Sequence, residues 1–239
     1  MRVTSTTFQL GKDGSGTQDR YAVIIGRTPA VRVLIADGAG TTYRSGEFAE
    51  ELCRAGSKQR ALSGMTFDKA VREAAARWTA ANRPSRKSPW WERKSYTKGA
   101  TAAFLCLDIV SPTRWAARAV GDCQLVVEPN GVKSRRLWPF TKSTDFPKLP
   151  LLLSAKQRVI MTPHLMATRG RGRRGWTFYV MTDGLAEGVL RMSEHGLDPW
   201  KSLRALSGDE EFEDFVENLY EVLPDHKRDD MTLVRLEVL

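Results

Sequence analysis

Cysteine and histidine are scarce in this sequence, at three each in 239 residues. Cys53, Cys106 and Cys123 form an odd set without CxxC spacing, which argues against a disulfide framework and against a thiolate zinc site. His164, His195 and His226 are scattered, and no Ser-His-Asp or Cys-His arrangement surrounds any of them. Long apolar runs are missing as well: no stretch approaches the roughly 18 residues that span a bilayer, so no membrane role is expected. The opening MRVTSTTFQLGKDG has no apolar segment of the signal-peptide kind, and the expectation is a chain of the reducing cytoplasm. Acids are outnumbered, 28 against 37 Lys and Arg, which gives a net charge of +9. Such an excess favours an anionic partner without saying which one. Neither internal repeats nor an evident linker divides the chain, and 41% hydrophobic residues suit one domain over 1–239.

What the sequence does have is acids at the ends of apolar runs. The stretch Val33 to Gly40, VLIADGAG, carries four apolar residues into Asp37 and a Gly-Ala-Gly turn. Taken alone this is the pattern of an ordinary buried strand and turn. A carboxylate at such a position must still be paired, hydrogen-bonded or bound to a cation, because burying it bare is too costly. The pattern recurs. Asp19 opens the run Tyr21 to Ile25, Asp122 interrupts two β-rich runs, Asp183 closes Trp176 to Thr182, and Asp229 with Asp230 precedes the alternating MTLVRLEVL. Five acid positions without His or Cys partners suit hard divalent cations, magnesium or manganese.

Between these positions the periods alternate. Thr4 to Leu10, Tyr21 to Ile25 and Val31 to Ala36 read as an antiparallel meander. Ser45 to Ser57, with Ser45 as N-cap, and Thr66 to Ala81 read as helices. Gly99 to Val110, Trp115 to Val120, Gln124 to Glu128 and Val132 to Leu137 read as strands, the last two joined by a Pro129-Asn130-Gly131 turn. Leu185 to Met192, Pro199 to Leu206 and Asp209 to Leu223 read as helices. Two segments break the pattern. Residues 82–98 hold two prolines, six Lys or Arg and three aromatics without a period, and read as an exposed basic loop. Residues 138–175 read as an irregular, flap-like segment with one short β-like run at 159–162; its end carries Arg169, Arg171, Arg173 and Arg174 among glycines. Nucleic-acid binding through residues 82–98 and 169–174, with Trp90 and Trp91 stacking on bases, is the weaker reading beside a solvated surface.

The ordered wording of the segments resembles the metal-dependent protein phosphatases of type 2C. TQDRYAV is similar to that family's opening acid motif, IADGAGTTYRSGEFAE to its DG motif, and KGATAAFLCL to its G-x-T segment. AVGDCQLVV resembles its GDS hairpin, FYVMTDGLAEGVL its late DG motif, and RDDMTLVRLEV its terminal DN-x-T strand. Each motif is weak singly, and six in order cover essentially the whole chain, with bacterial-like features in its short length and in Ala39.

The resemblance implies an α+β fold, a four-layer α-β-β-α sandwich of two antiparallel sheets, with the site at one edge. It implies a serine/threonine phosphoprotein phosphatase in which water held between two metal ions attacks the phosphomonoester directly. Asp37 would bridge two magnesium or manganese ions, and the Gly38 carbonyl would bind one. Asp183 and Asp229 would hold the other, with Asp230 as the alternative to Asp229. Asp19 would act through water, and Asp122 would complete a weaker third site. A phosphoprotein substrate, a cognate serine/threonine kinase and a monomeric state complete the expectation. Three positions depart from the family pattern. Gly14 stands where many members carry a phosphate-holding Arg, which leaves Lys12 as the nearest cation, a point charge rather than a fork. Ala39 stands where some members carry an acid-donating His. Asp230 stands where Asn is usual. The departures at Gly14 and Ala39 motivate the alternative of a phosphatase-fold regulatory or binding module with weak or no turnover.

Overall fold

The structure, a computed structural model, describes residues 2–12, 16–26, 29–60, 62, 64–130, 134–156 and 164–239. Two antiparallel sheets face each other. One contains β1 (Val3–Leu10), β6 (Gln124–Glu128), β7 (Arg136–Trp138), β10 (Thr177–Met181) and β11 (Met231–Val238), in the order β1-β11-β10-β6-β7. The other contains β2 (Arg20–Ile25), β3 (Val31–Gly38), β4 (Thr101–Ser111), β5 (Arg114–Val120) and β9 (Met166–Arg171) in that order, with the short β8 (Leu153–Ser154) beside β4. Helices α1 (Ser45–Ser57) and α2 (Gly64–Ala81) cover the outer face of the second sheet, and α4 (Asp183–Glu194), α5 (Pro199–Ala205) and α6 (Asp209–Val222) cover that of the first. No helix among the described residues is long and apolar enough to cross a membrane.

Three apolar layers hold this stack together. Val33, Ile35, Leu105, Leu125, Val180 and Val234 meet between the sheets. Leu34, Phe104, Phe48 and Trp78 pack beneath α1 and α2, and Tyr179, Met181, Leu185 and Phe215 beneath the other helices. Central strands are covered on both faces, so β3, over Val33 to Ala36, and β10 read as apolar runs rather than alternating ones. Burial also admits one ion pair: Arg32 on β3 donates from Nε at 2.6 Å and from Nη2 at 3.0 Å to Asp108 on β4, and its Nη1 reaches the carbonyls of Gly56 and Gln59 at the end of α1. That guanidinium satisfies helix-end carbonyls while neutralising a buried carboxylate.

Several expectations need correction. Strand β1 does not join β2 and β3; it pairs along its length with β11, Val3 opposite Val238, in the other sheet. Local periodicity marks a strand but not its partner, and here the partner lies at the far end of the chain. The basic segment 82–98 is not all loop: α3 (Trp90–Lys98) occupies its second half. This helix starts directly after Pro89 and ends at Gly99, which has φ 86°. It is anchored by Tyr96, whose ring stacks on Trp78 at 5.6 Å and lies 3.7 Å beneath the Lys156 ammonium. Residues 169–171 are not loop either. They belong to edge strand β9, and Gly170 is required there because a Cβ would come within 2.6 Å of the Trp115 ring. The strand expected from Val132 is shorter, at Arg136–Trp138. The N-cap of α1 is Arg44 at φ 50°, and the Ser45 hydroxyl hydrogen-bonds Gln18 instead. Gly14, Gly131, Val132 and the β-like run at 159–162 lie outside the described residues.

Candidate metal centre

The site forms where the layer between the two sheets opens at one end. Side chains alternate across a strand, so Val31, Val33 and Ile35 face the opposite sheet and Asp37 is the next member of that row. Arg20 pairs with Ala36, which brings Asp19, the residue just before β2, alongside Asp37. On the facing sheet Phe178 and Val180 point inward, and Thr182 and then Asp183 follow. Asp122 lies on the short connection from β5 to β6, after Gly121 at φ 97°. That glycine is needed because a Cβ would come within 2.5 Å of Ala103.

Carboxylate oxygens of Asp37, Asp122 and Asp183 lie within 4.8 Å of one another. Asp19 sits behind them, fully buried, and its Oδ2 accepts hydrogen bonds from Thr182 Oγ1 at 2.9 Å and Thr232 Oγ1 at 2.8 Å. Asp229 is set apart from the trio. It is paired with Lys227 at 2.6 Å and Lys12 at 3.6 Å, and it accepts the N–H of Asp230. Asp230 is turned the other way. Its two oxygens accept the backbone N–H groups of Lys12 at 3.1 Å and Gln18 at 2.7 Å and so tie those two residues to the start of β11. Gly38 lies against α1: a Cβ there would meet the Ser45 backbone at 2.8 Å and the Gln18 carbonyl at 2.9 Å. Lys12 stands at the rim with its ammonium close to Gly40. Ala39 contributes its carbonyl, which accepts the Thr42 N–H and hydroxyl.

The electrostatics are those of crowded, poorly hydrated acids. Burial first, then the charges of Asp183 and Asp230, outweigh the two threonine hydrogen bonds and push Asp19 up to about 7. Burial and then Asp183 push Asp122 up to about 7 as well. Burial, with Asp19 and Asp183 adding repulsion, holds Asp37 well above the carboxylate range. Asp183 is raised mainly by burial, with the charge of Asp229 adding to it and interaction with the Asp37 carboxyl opposing it. Asp229 goes the other way: burial raises it, but the Lys227 hydrogen bond and charge more than offset that. Cys123 is buried beside these acids and its thiol is pushed far up, first by burial and then by Asp37, which disfavours the reactive thiolate.

This donor set fits divalent cations. Every candidate ligand is an oxygen, as magnesium and manganese prefer. Asp19 Oδ1 and Asp122 Oδ1 are buried without a hydrogen-bond partner among the described residues, a costly state for a carboxylate unless a cation faces it. Sequence reasoning missed the supports: Thr182, Thr232, Gln18 and Lys227. For the two threonines a signal existed, since each continues an inward row by period two; for Gln18 and Lys227 none did.

The chain matches the sequence profile of protein phosphatase 2C over residues 11–234. No curated protein sequence matches it. Among solved structures it is similar to the Mycobacterium tuberculosis serine/threonine phosphatase PstP, at 15% identity and TM-score 0.65, covering 99% of this chain and 98% of that one. The PstP catalytic domain has also been solved with two manganese ions. PppA, a key regulatory component of T6SS in Pseudomonas aeruginosa, is similar at 12% identity and TM-score 0.67, covering 100% of this chain and 99% of that one. RsbX, solved with magnesium, is similar at 16% identity and TM-score 0.55, covering 99% and 96%. A four-layer sandwich of two antiparallel sheets, a cluster of carboxylates at its open edge and a profile match along most of its length converge on one assignment: the chain belongs to the protein phosphatase 2C family.

Proposed function

We propose that this chain hydrolyses phosphoserine or phosphothreonine in proteins, with magnesium or manganese held at the cluster. The observation that carries this reading is the trio Asp37, Asp122 and Asp183 within 4.8 Å at the mouth between the sheets. Those three carboxylates would hold the ions, with the Gly38 carbonyl beside Asp37. Asp229 would join after exchanging its Lys227 contact, while Asp230 keeps its structural partners. Divalent ions bound there supply Lewis acidity, lowering the pKa of an attacking water and neutralising phosphoryl oxygens. Asp19, held by Thr182 and Thr232, keeps a carboxylate behind the cluster that would act on the ions through water. The Lys12 ammonium at the rim attracts and orients the substrate phosphate as a point charge. The same reading makes the chain a monomeric signalling enzyme of a bacterial cytoplasm that opposes a serine/threonine kinase. Three buried free thiols and the bacterial relatives support it.

The test is release of phosphate from a phosphothreonine peptide with manganese. Asp37→Ala is expected to lower kcat/KM by roughly a thousandfold, the loss of several kcal/mol of Lewis-acid stabilisation. Activity that survives both EDTA and this substitution would refute the reading. Lys227 and Lys12 on Asp229, together with Ala39, favour one alternative, a module that binds its partner without turnover. Tight manganese binding with no hydrolysis of any phosphopeptide selects that alternative.

A further inference from the structure

The opposite end of the sandwich carries a second concave feature. Asp122 and Asp183 follow the ends of β5 and β10, and the other tips of β5, β6 and β10 adjoin Arg114, Asn130 and Trp176. Strand β5 has 7 residues, which at about 3.3 Å per residue places the two ends roughly 20 Å apart. A cavity of about 840 Å³ lies there, lined by Arg114, Arg171, Arg173, Arg174, Asn130 and Trp176. Arg114 and Arg171 are direct cross-strand partners in the β5–β9 ladder. Like charges in that position repel and destabilise the pair. Arg173 and Arg174 follow on the connection to β10. All four side chains are exposed, and none has a hydrogen bond, ion pair or ring contact with a described residue. Several other arginines are paired, as with Arg32 and Asp108, Arg77 and Glu73, or Arg135 and Glu128, and others without a partner among the described residues, such as Arg72 and Arg83, stand outside this cavity.

The backbone beneath these arginines is fixed. Gly172 N–H donates to Thr113 O at 3.1 Å and Gly175 N–H to Val238 O at 2.6 Å. Gly175 adopts φ 80°, and a Cβ on it would strike Asn130 at 2.6 Å. A fixed backbone therefore gathers four arginines around one concavity, with no carboxylate paired to them among the described residues. Guanidinium binds phosphate bidentately and without a pH limit. The volume falls within the roughly 300–1,000 Å³ of small-molecule sites, and Trp176, half-buried in the wall, offers an aromatic surface to a base.

We propose that this cavity binds a nucleoside di- or triphosphate, at a site separate from the metal centre. The phosphates neutralise the Arg114–Arg171 pair and engage Arg173 and Arg174, and the base packs on Trp176. A single pocket at one tip of the sandwich suits a compact ligand better than a polymer that needs a track. The test is calorimetric titration of the full chain with ADP and ATP in EDTA, so that no metal bridges phosphate to the carboxylates. Micromolar binding is expected for the wild type and for Asp37→Ala alike. Arg171→Glu with Arg174→Glu should weaken it at least tenfold, as should Arg173→Ala with Arg174→Ala, which leaves the β-ladder intact. Affinity should fall as sodium chloride rises. No binding of either nucleotide, or undiminished binding in both double variants, overturns the proposal. Tripolyphosphate binding as tightly as ATP overturns the nucleoside assignment, and a single-stranded oligonucleotide binding tenfold tighter than ATP overturns it in favour of a nucleic-acid surface.

Discussion

At the scale of single residues, the carboxylate cluster makes a definite demand on pH. Asp19 and Asp122 have folded-state values of about 7 against an ordinary 3.8. The folded chain therefore holds more protons than the unfolded one between roughly pH 4 and 7, and its stability falls as pH rises through that window. In EDTA the melting temperature should decline from pH 5 to pH 7.5, and saturating manganese should abolish or reverse the decline. A flat profile in EDTA would mean that these acids are not crowded in solution. Asp37→Asn removes one buried charge, so the metal-free variant should melt higher than the wild type at pH 7.5 while losing manganese affinity. Thr232→Val removes a hydrogen bond that favours the charged form of Asp19. The acid limb of the kcat/KM profile should then move to higher pH. An unmoved limb would assign that ionisation to another group. The acid at each strand end was legible in the sequence, because a carboxylate closing an apolar run has few alternatives to a polar mouth. The split between Asp229 and Asp230 was not. Adjacent identical residues differ only in their partners, and those partners, Lys227 for one and the Lys12 and Gln18 N–H groups for the other, are set by the fold.

Elements position the site by close approach. The start of α4 lies against the start of β11: a Cβ on Gly184 would come within 2.8 Å of the Asp230 carbonyl and 3.1 Å of Asp229 Cβ. Gly184→Ala must push these backbones apart. It is expected to cost about 1–3 kcal/mol in a urea melt and to weaken manganese binding measured by calorimetry; unchanged metal affinity would show that the spacing does not matter to the centre. Far from the mouth, Arg32→Ala strips the buried Asp108 of its main partner and leaves Arg118 at 3.9 Å and the Cys106 thiol at 3.7 Å. A loss of about 3 kcal/mol in stability is expected, read by denaturant midpoint, with kcat unchanged below the transition. The helices over the sheets were readable from period 3.6. Strand β9 was not, since its Arg-Gly alternation carries no apolar face; pairing with β5 and the seat of Trp115 over Gly170 make it a strand. Helix α3 escaped notice for a similar reason. It has no fully buried residue, and one aromatic, Tyr96, docks it.

For the whole molecule, metal and fold are linked. An ion that binds only the folded chain stabilises it by about 2.7 kcal/mol at a hundredfold excess over Kd, so manganese should raise the melting temperature in a concentration-dependent way, and Asp183→Asn should remove that dependence. The sequence by itself determined which strands are buried on both faces, where the carboxylates interrupt them, and the family whose motifs occur in this order. These are local properties, written in hydrophobic period and in the cost of burying a charge. Only the tertiary structure decided that the first strand pairs with the last, that Thr182 and Thr232 converge on Asp19, and that four arginines gather unpaired at the far end of the sandwich. Each depends on contacts between residues far apart in the chain, and local periodicity carries no information about which distant partner a strand or a side chain will meet.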